Sequence, residues 1–333
     1  MIERLRRPVS PELYRRFTLW ALVLLVVIVI TGAGVRLTGS GLGCTDWPGC
    51  TQDEFVAPME LNPMIEFVNR LITGAVSAAV GLAVLGSLRR APRRRDLVWL
   101  SWGLVAGVIG QILLGAVVVW SHLNPWLVQG HFVLSMVLVA NALVLRHRAG
   151  IPDDAVVRPV VPDQIRRAGA VLVGAATVVL LTGTLVTGSG PHSGHNDDDV
   201  TAIQRLPIEV ADAARIHGLS VLVLLALVVW VLVALRRRSL PEPLNTAATA
   251  LLTVVVLQGA LGYTQYFTGV PPLLVALHIL GASLVWLAVI HLMLQMKAPI
   301  YAPIGAESAG PRESERARLD RDPLSDGDLV TDR

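Results

Sequence analysis

The segment LNPMIEFVNRLITG (Leu61–Gly74) places Glu66, Asn69 and Arg70 within five residues and runs into Leu71–Leu88, eighteen residues without a charge. An uncharged run of this length predicts a helix that crosses a membrane. A carboxylate at the mouth of such a helix is costly and is therefore a candidate functional group. The alternative is a Glu66 that simply faces water, beside an Arg70 that reaches toward lipid headgroups.

The rest of the chain has the same membrane character. Of its 333 residues, 53% are hydrophobic and 16% are charged, and the mean hydropathy is +0.60. Phe17–Val35 has no charge, and Leu97–Leu145 and Pro243–Gln295 have no Asp, Glu, Lys or Arg. Each of the two longer runs suffices for two crossings at about 20 residues per crossing. An all-α membrane protein is predicted, with eight helices at about residues 17–37, 64–88, 97–120, 125–146, 167–187, 211–235, 244–267 and 271–295.

The basic residues indicate topology. A net charge of +3 and a pI near 9.2 would suit nucleic acid, but the arginines lie in short connections between the predicted helices, so lipid is the expected partner and nucleic acid is not. Every second connection is arginine-rich, and one connection between them carries Asp197–Asp199. The positive-inside rule then places both termini of this multi-pass cell-membrane protein in the cytoplasm. The polar tail, residues 301–333, is predicted to be disordered.

The two halves of the sequence repeat. The tetrapeptide Thr-Gly-Ser-Gly occurs at residues 38–41 and 187–190, and Asn69 and His217 occupy equivalent points of the second and sixth helices. A glutamine precedes a histidine by 20 residues in both halves, at Gln111 and His131 and at Gln258 and His278. Residues 1–150 and 151–300 are therefore predicted to form two tandem four-helix bundles, related by a pseudo-two-fold axis along the membrane normal.

Three histidines are predicted to share one depth. His131, His217 and His278 lie one to two turns into their helices. A lone imidazole in a bilayer usually makes an interhelical hydrogen bond, but three at one depth favour axial ligation of haem iron. His217 and His278 are predicted to hold one porphyrin in the second half. A zinc site would use further ligands such as cysteine or carboxylate, and the second half has none at that depth.

The first half is not equivalent, because Asn69 stands where the second half has His217. His131 then lacks a histidine partner and is expected to face Glu66 on the second helix. One axial histidine and one carboxylate leave room for a reacting substrate, whereas the alternative is a half that has decayed into packing. Arg70 and Arg215 are predicted to pair with haem propionates, or else to reach the lipid headgroups.

The first loop carries the two cysteines of the chain, Cys44 and Cys50, in the sequence GLGCTDWPGC. Both are predicted to face an oxidising compartment, so a disulfide is expected. A redox-active thiol pair close to Glu66 is the alternative.

At these residues the chain resembles the haem A synthase family, membrane oxidoreductases that convert a methyl group of haem O to the formyl group of haem A for terminal oxidase assembly. The resemblance extends over all eight helices. It rests on TGxGxRLTGSGLGC (Thr31–Cys44), on IExxxR (Ile65–Arg70) and on the spaced histidines. The chain departs from the family at Asn69, where many members carry a second histidine.

The resemblance implies a set of roles. Haem b would be held by His217 and His278, and haem O would bind as substrate near His131 with Glu66 taking part in its oxidation. Cys44 and Cys50 match a cysteine pair of one subgroup. Haem O synthase and an electron donor are the implied partners, and a homo-oligomer is left open.

Two other functions are compatible with the pattern. One is a b-type cytochrome with two histidine ligands that only carries electrons, and the other is a transporter built on the parallel repeat. The asymmetry between Asn69 and His217 favours the enzyme.

Overall fold

The computed structural model describes residues 8–44, 46, 49–192, 194 and 204–300. Within this part of the chain, eight helices are long and apolar enough to cross a membrane, so the predicted all-α, multi-pass membrane architecture is confirmed. The tail predicted to be disordered, residues 301–333, lies outside the described residues, as do His195 and Asp197–Asp199.

The helices are longer than predicted at several ends. The first, α1, begins near residue 11 because Ser10 accepts a hydrogen bond from the Leu13 N–H at 3.2 Å and Pro11 opens the first turn; both are helix-start signals. Asn124 caps α4 in the same way, accepting from the Trp126 N–H at 3.0 Å. The helices are α1 (Pro11–Leu37), α2 (Leu61–Arg89), α3 (Arg95–Trp120), α4 (Pro125–Ala149), α5 (Asp163–Ser189), α6 (Val210–Arg237), α7 (Glu242–Phe267) and α8 (Pro272–Gln295).

Each half closes into a four-helix arrangement. In the first half α1 packs on α2 and α4, and α3 packs on the same two helices; α5, α6, α7 and α8 repeat this pattern. The halves meet where α4 and α1 pack on α8 and where α4 packs on α5. Across this seam the Trp286 indole N–H donates to the Met136 carbonyl at 2.9 Å. The packing accords with two tandem bundles, and the symmetry axis itself stays a prediction.

The repeat is also visible in the backbone. The ends of α3 and α7 lie 147 residues apart, and so do the starts of α4 and α8. In the turns between them, His122 and Leu123 have φ of 52° and 60°, and Gly269 and Val270 have φ of 79° and 59°. The same left-handed turn thus joins the last two helices of each half, so His131 and His278 start from equivalent backbone positions.

A short sheet was not predicted. Strand β1 (Val156–Pro159), in the connection between the halves, pairs antiparallel with β2 (Lys297–Ile300), which follows α8. The chain just after α8 is therefore ordered by β1 rather than continuing directly into a tail.

Candidate functional site

Glu66 is the sixth residue of α2, close to the Cys44–Cys50 loop; we call the end of the bundles where this loop lies the disulfide end. The glutamate is 6% exposed. Its Oε2 accepts from the Cys44 backbone N–H at 2.9 Å, and its Oε1 accepts from Arg70 Nη2 at 2.6 Å. Because both carboxylate oxygens bind protein donors and the residue is buried, the water-facing alternative for Glu66 does not describe this structure.

Arg70 ties the disulfide loop to the start of α2. It lies four residues after Glu66, so the two side chains share a helix face. Its Nη1 donates to the carbonyls of Asp46 at 3.0 Å and Gly49 at 2.8 Å. These contacts place the arginine between α2 and the loop, and its assignment to a haem propionate stays a prediction.

The predicted disulfide is present. Cys44 and Cys50 are bonded at an S–S distance of 2.12 Å, and both residues are fully buried. The bond closes the segment that contributes the Cys44 N–H and the carbonyls of Asp46 and Gly49. The covalent loop and the Glu66–Arg70 pair are thus one structural unit.

In the second half, two imidazoles from different helices face the same interior space. His217 is the eighth residue of α6 and His278 the seventh of α8, so both lie roughly 10 Å from their helix starts at 1.5 Å per residue. Their ring centroids are 6.4 Å apart with the planes at 74°. A metal–imidazole bond is about 2 Å long, and a ring nitrogen lies about 1 Å from its ring centre, so two imidazoles on one iron need centroids about 6 Å apart. The spacing of the two rings is compatible with shared ligation of one iron, and the haem ligand pair itself stays a prediction.

Glycines allow these imidazoles to lie close against the neighbouring helices. A Cβ on Gly183 of α5 would lie 3.2 Å from Cε1 of His217, and a Cβ on Gly262 of α7 would lie 3.0 Å from Cε1 of His278. Side chains at these positions would press on the rings. In the first half Gly115 of α3 corresponds to Gly262, and a Cβ on Gly115 would lie 3.5 Å from Cε1 of His131.

The Nδ1 atoms of the three histidine rings differ in their hydrogen-bond partners. His217 Nδ1 lies 3.2 Å from Thr182 Oγ1, which also contacts Ser220 at 2.9 Å. A hydrogen bond at Nδ1 orients a histidine and leaves Nε2 for a metal. Among the described residues His278 Nδ1 and His131 Nδ1 are buried without a hydrogen-bond partner.

The first half has one imidazole and an amide. His131 is the seventh residue of α4, the same position that His278 has in α8. Asn69 occupies the α2 position that corresponds to His217, and its Oδ1 accepts from Thr31 Oγ1 at 2.8 Å. The structure therefore has no second imidazole at this α2 position.

Sequence reasoning missed the two threonines that support these positions. Thr31 contacts Asn69, and Thr182 contacts His217, so α1 and α5 supply the same support in both halves. A signal was present, because each threonine is followed by glycine at Gly32 and Gly183. In each half this Thr-Gly dipeptide precedes the Thr-Gly-Ser-Gly segment, but the number of residues between them differs. The dipeptide is therefore harder to recognise as part of the repeat.

Two further arginines, Arg36 and Arg215, have protein partners. Arg215 is exposed and pairs with Asp212 at 2.9 Å. Arg36 donates to the carbonyls of His192 at 2.7 Å and Thr187 at 2.8 Å, joining the end of α1 to the end of α5. Neither contact tests the proposed binding of Arg215 to a propionate.

Within the described residues, no group of three or more His, Cys, Asp or Glu side chains is arranged to hold a metal ion. A structural zinc site usually has four protein ligands, and a catalytic one has three. Haem iron takes at most two protein ligands, and the assignment of His217 and His278 to haem stays a prediction.

Comparison with known proteins finds a matching family model and several relatives. The COX15-CtaA family model, described as cytochrome oxidase assembly protein, matches residues 15–63 and 60–290. A relative from Lysinibacillus sphaericus, named heme A synthase, is 33% identical over 133 residues, which are 39% of this chain and 42% of the relative. Another of the same name from Bacillus mycoides is 30% identical over 137 residues, 39% of this chain and 44% of the relative. The matched part thus spans less than half of these relatives.

Proposed function

The chain belongs to the COX15-CtaA family of cytochrome oxidase assembly proteins, and we propose that it is a haem A synthase. The enzyme oxidises a methyl group of haem O to the formyl group of haem A. The observation that carries the proposal is the asymmetry of the two halves. The second half has two facing imidazoles, whereas the first has one imidazole on α4 and a buried, oriented carboxylate on α2.

The second half is assigned to a resident haem b held by His217 and His278. The 6.4 Å spacing of the ring centroids and the two glycines beside the rings support this assignment. A bound haem supplies the electron-transfer chemistry that no side chain provides. Thr182 holds the His217 ring so that its other nitrogen can act as the ligand.

The first half is assigned to the substrate, haem O, whose iron His131 would ligate. Glu66 is the catalytic residue in this assignment. In an acceptor-linked oxidation the electrons would leave the methyl carbon for an acceptor outside this chain, and the Glu66 carboxylate would stabilise the positive charge left on that carbon or take the proton released from it. Arg70 and the Cys44 N–H act on Glu66 as positioning groups, because each holds one carboxylate oxygen.

The orientation in the membrane follows from charge. The connections opposite the disulfide end hold most of the arginines, among them Arg89, Arg90 and Arg94. We assign that end to the cytoplasm, together with both termini. The Cys44–Cys50 bond then faces an oxidising compartment, in which disulfides persist. Haem O synthase and an electron donor are the proposed partners.

The test is extraction and chromatography of haems from membranes of a host that makes haem O, with and without this protein. Haem A, or its hydroxylated precursor, should accumulate only with the protein. Glu66→Gln should stop its formation while the protein keeps its fold and its second-half haem. Glu60→Gln, a change at an exposed acid before α2, is the matched control and should keep product formation.

If haem O stays unchanged in the presence of the folded wild-type protein, the enzyme assignment is wrong. A b-type cytochrome that only carries electrons would then describe the second half. If Glu66→Gln forms product at the wild-type rate, the proposed electrostatic role of Glu66 is wrong, but the enzyme assignment stands.

A further inference from the structure

A half-buried glutamine on α3 has a buried side-chain oxygen without a partner. Gln111 Nε2 donates to the main-chain carbonyl of His131 at 3.0 Å and to Ser135 Oγ at 2.7 Å. Its Oε1 is buried and has no hydrogen-bond partner in the described part of the chain. Leaving a buried acceptor unpaired costs about 1–3 kcal/mol, so this oxygen is a candidate binding group.

The direction of this oxygen follows from the groups around the amide. The carbonyl of His131 can only accept, so Gln111 must present its N–H to it; the reverse orientation would set two oxygens against each other. Ser135 donates its own hydroxyl to the same carbonyl at 3.0 Å and therefore accepts from Gln111. Both amide hydrogens are engaged, and Oε1 is directed away from them.

The second half places the corresponding amide differently. Gln258 Nε2 donates to the carbonyl of His278 at 2.7 Å, but its Oε1 lies directly against Gly281, where any side chain would collide with it. The residue 147 positions earlier is Leu134, which has such a side chain. Among the described residues Gln258 is not left with a buried, unpaired oxygen. Of these two corresponding glutamines, Gln111 alone has a buried, unpaired side-chain oxygen within the described part of the chain.

The acceptor lies near the proposed substrate ligand. Gln111 and Gly115 are one turn apart on the same face of α3, and Gly115 lies against the His131 ring. Because α3 runs toward the disulfide end, Gln111 lies about 6 Å further from that end than Gly115. Gln111 is thus close to His131 in the fold, one helical turn deeper than the glycine that contacts the ring.

We propose that Gln111 Oε1 accepts a hydrogen bond from a hydroxyl group of the substrate porphyrin, which makes Gln111 a specificity-determining residue. The proposal rests on the proposed function. Haem O carries a hydroxyl on its farnesyl-bearing side chain, where haem b carries a vinyl group without a donor. Sites with a buried polar group reject ligands that leave the group unpaired, so this oxygen favours haem O over haem b in the first half.

The test is a binding titration of the purified full-length protein, with its second half filled as isolated. Haem O and haem b are added separately in detergent, and binding is followed by absorbance. Gln111→Met should weaken haem O binding roughly tenfold, the effect of one lost hydrogen bond, and should leave haem b binding unchanged or stronger. Ser135→Ala is the control, since it removes a partner of Nε2 and keeps Oε1; it should retain the wild-type preference.

If Gln111→Met does not fold, Gln111→Asn provides the test, because it keeps an amide but draws it back by one methylene and should also lose preference for haem O. Equal weakening of haem O and haem b by the variant that folds would show a purely structural role and overturn the proposal. An unchanged preference would do the same. These binding outcomes do not depend on turnover. If the wild-type protein forms haem A but the variants keep the wild-type preference for haem O, the role of Gln111 is rejected and the enzyme assignment stands.

Discussion

Removal of the Arg70 guanidinium should loosen the disulfide end of the first half. Arg70→Met keeps an unbranched apolar stem and removes three hydrogen bonds, one to Glu66 and two to the loop carbonyls of Asp46 and Gly49. The Arg70 and Glu66 side chains are 20% and 8% exposed. Breaking a buried ion pair by removing one partner costs about 3–5 kcal/mol. Because Arg70 keeps some contact with solvent, we expect a loss of about 3 kcal/mol of unfolding free energy, at the low end of that range.

A double-mutant cycle separates the pair from the rest of the site. The free energy of unfolding is measured in SDS-containing mixed micelles by far-ultraviolet circular dichroism, for wild type, Arg70→Met, Glu66→Gln and the double variant. The double variant has neither charge, so it should be more stable than the sum of the single losses implies, with a coupling of about 2 kcal/mol. Arg215→Met breaks an exposed i, i+3 pair with Asp212 and serves as control, with an expected change within about 0.5 kcal/mol.

The cycle can contradict the structural argument in two ways. Additive single losses would mean that Glu66 and Arg70 do not act as a pair. A loss in Arg70→Met no larger than that in Arg215→Met would mean that the Arg70 contacts do not stabilise the loop. Either result would remove Arg70 as a positioning residue for Glu66.

Three further predictions concern the haem ligands and the loop. His217→Ala or His278→Ala should abolish a low-spin haem b signal in optical and electron paramagnetic resonance spectra, because each removes an axial ligand; a full signal in either variant would reject the ligand pair. Asn69→His should raise the haem content per protein and add a second low-spin signal, and an unchanged spectrum from the folded variant would show that this position does not ligate. Cys50→Ser should lower unfolding free energy by about 2 kcal/mol and keep the low-spin signal, whereas loss of that signal would show that the loop supports the second half.

The architecture was predictable because membrane helices leave a strong sequence pattern. Runs without charge gave the eight helices, and the arginines between them indicated topology. The ends were less predictable: the start of α1 depends on a Ser10 cap that lies outside the apolar run. Strand β1 pairs with a segment about 140 residues away, and neither short strand has a periodic pattern strong enough to be recognised alone.

The site was predictable where spacing along a helix determines depth. His131, His217 and His278 could be placed at one level from sequence because each lies seven or eight residues into its helix. The partners of Arg70 could not be predicted, because they are backbone carbonyls of a loop whose path depends on the disulfide and on Glu66. A guanidinium near a membrane surface has several favourable partners, and only the three-dimensional path of the loop selects among them.

The two halves share their supporting contacts and differ in the groups that would meet a ligand. In both halves a glutamine of the third helix binds the carbonyl of a histidine on the fourth. In both, a threonine of the first helix binds the side chain at the corresponding position of the second, which is Asn69 in one half and His217 in the other. A buried carboxylate and a buried, unpaired amide oxygen are each costly in an apolar core. If the first half served only to pack helices, there would be little reason to keep these two polar groups together with the glutamine and threonine hydrogen bonds. The shared supports and the differing polar groups therefore favour one scaffold used twice, once to retain a haem through two histidines and once to bind and release a substrate through one.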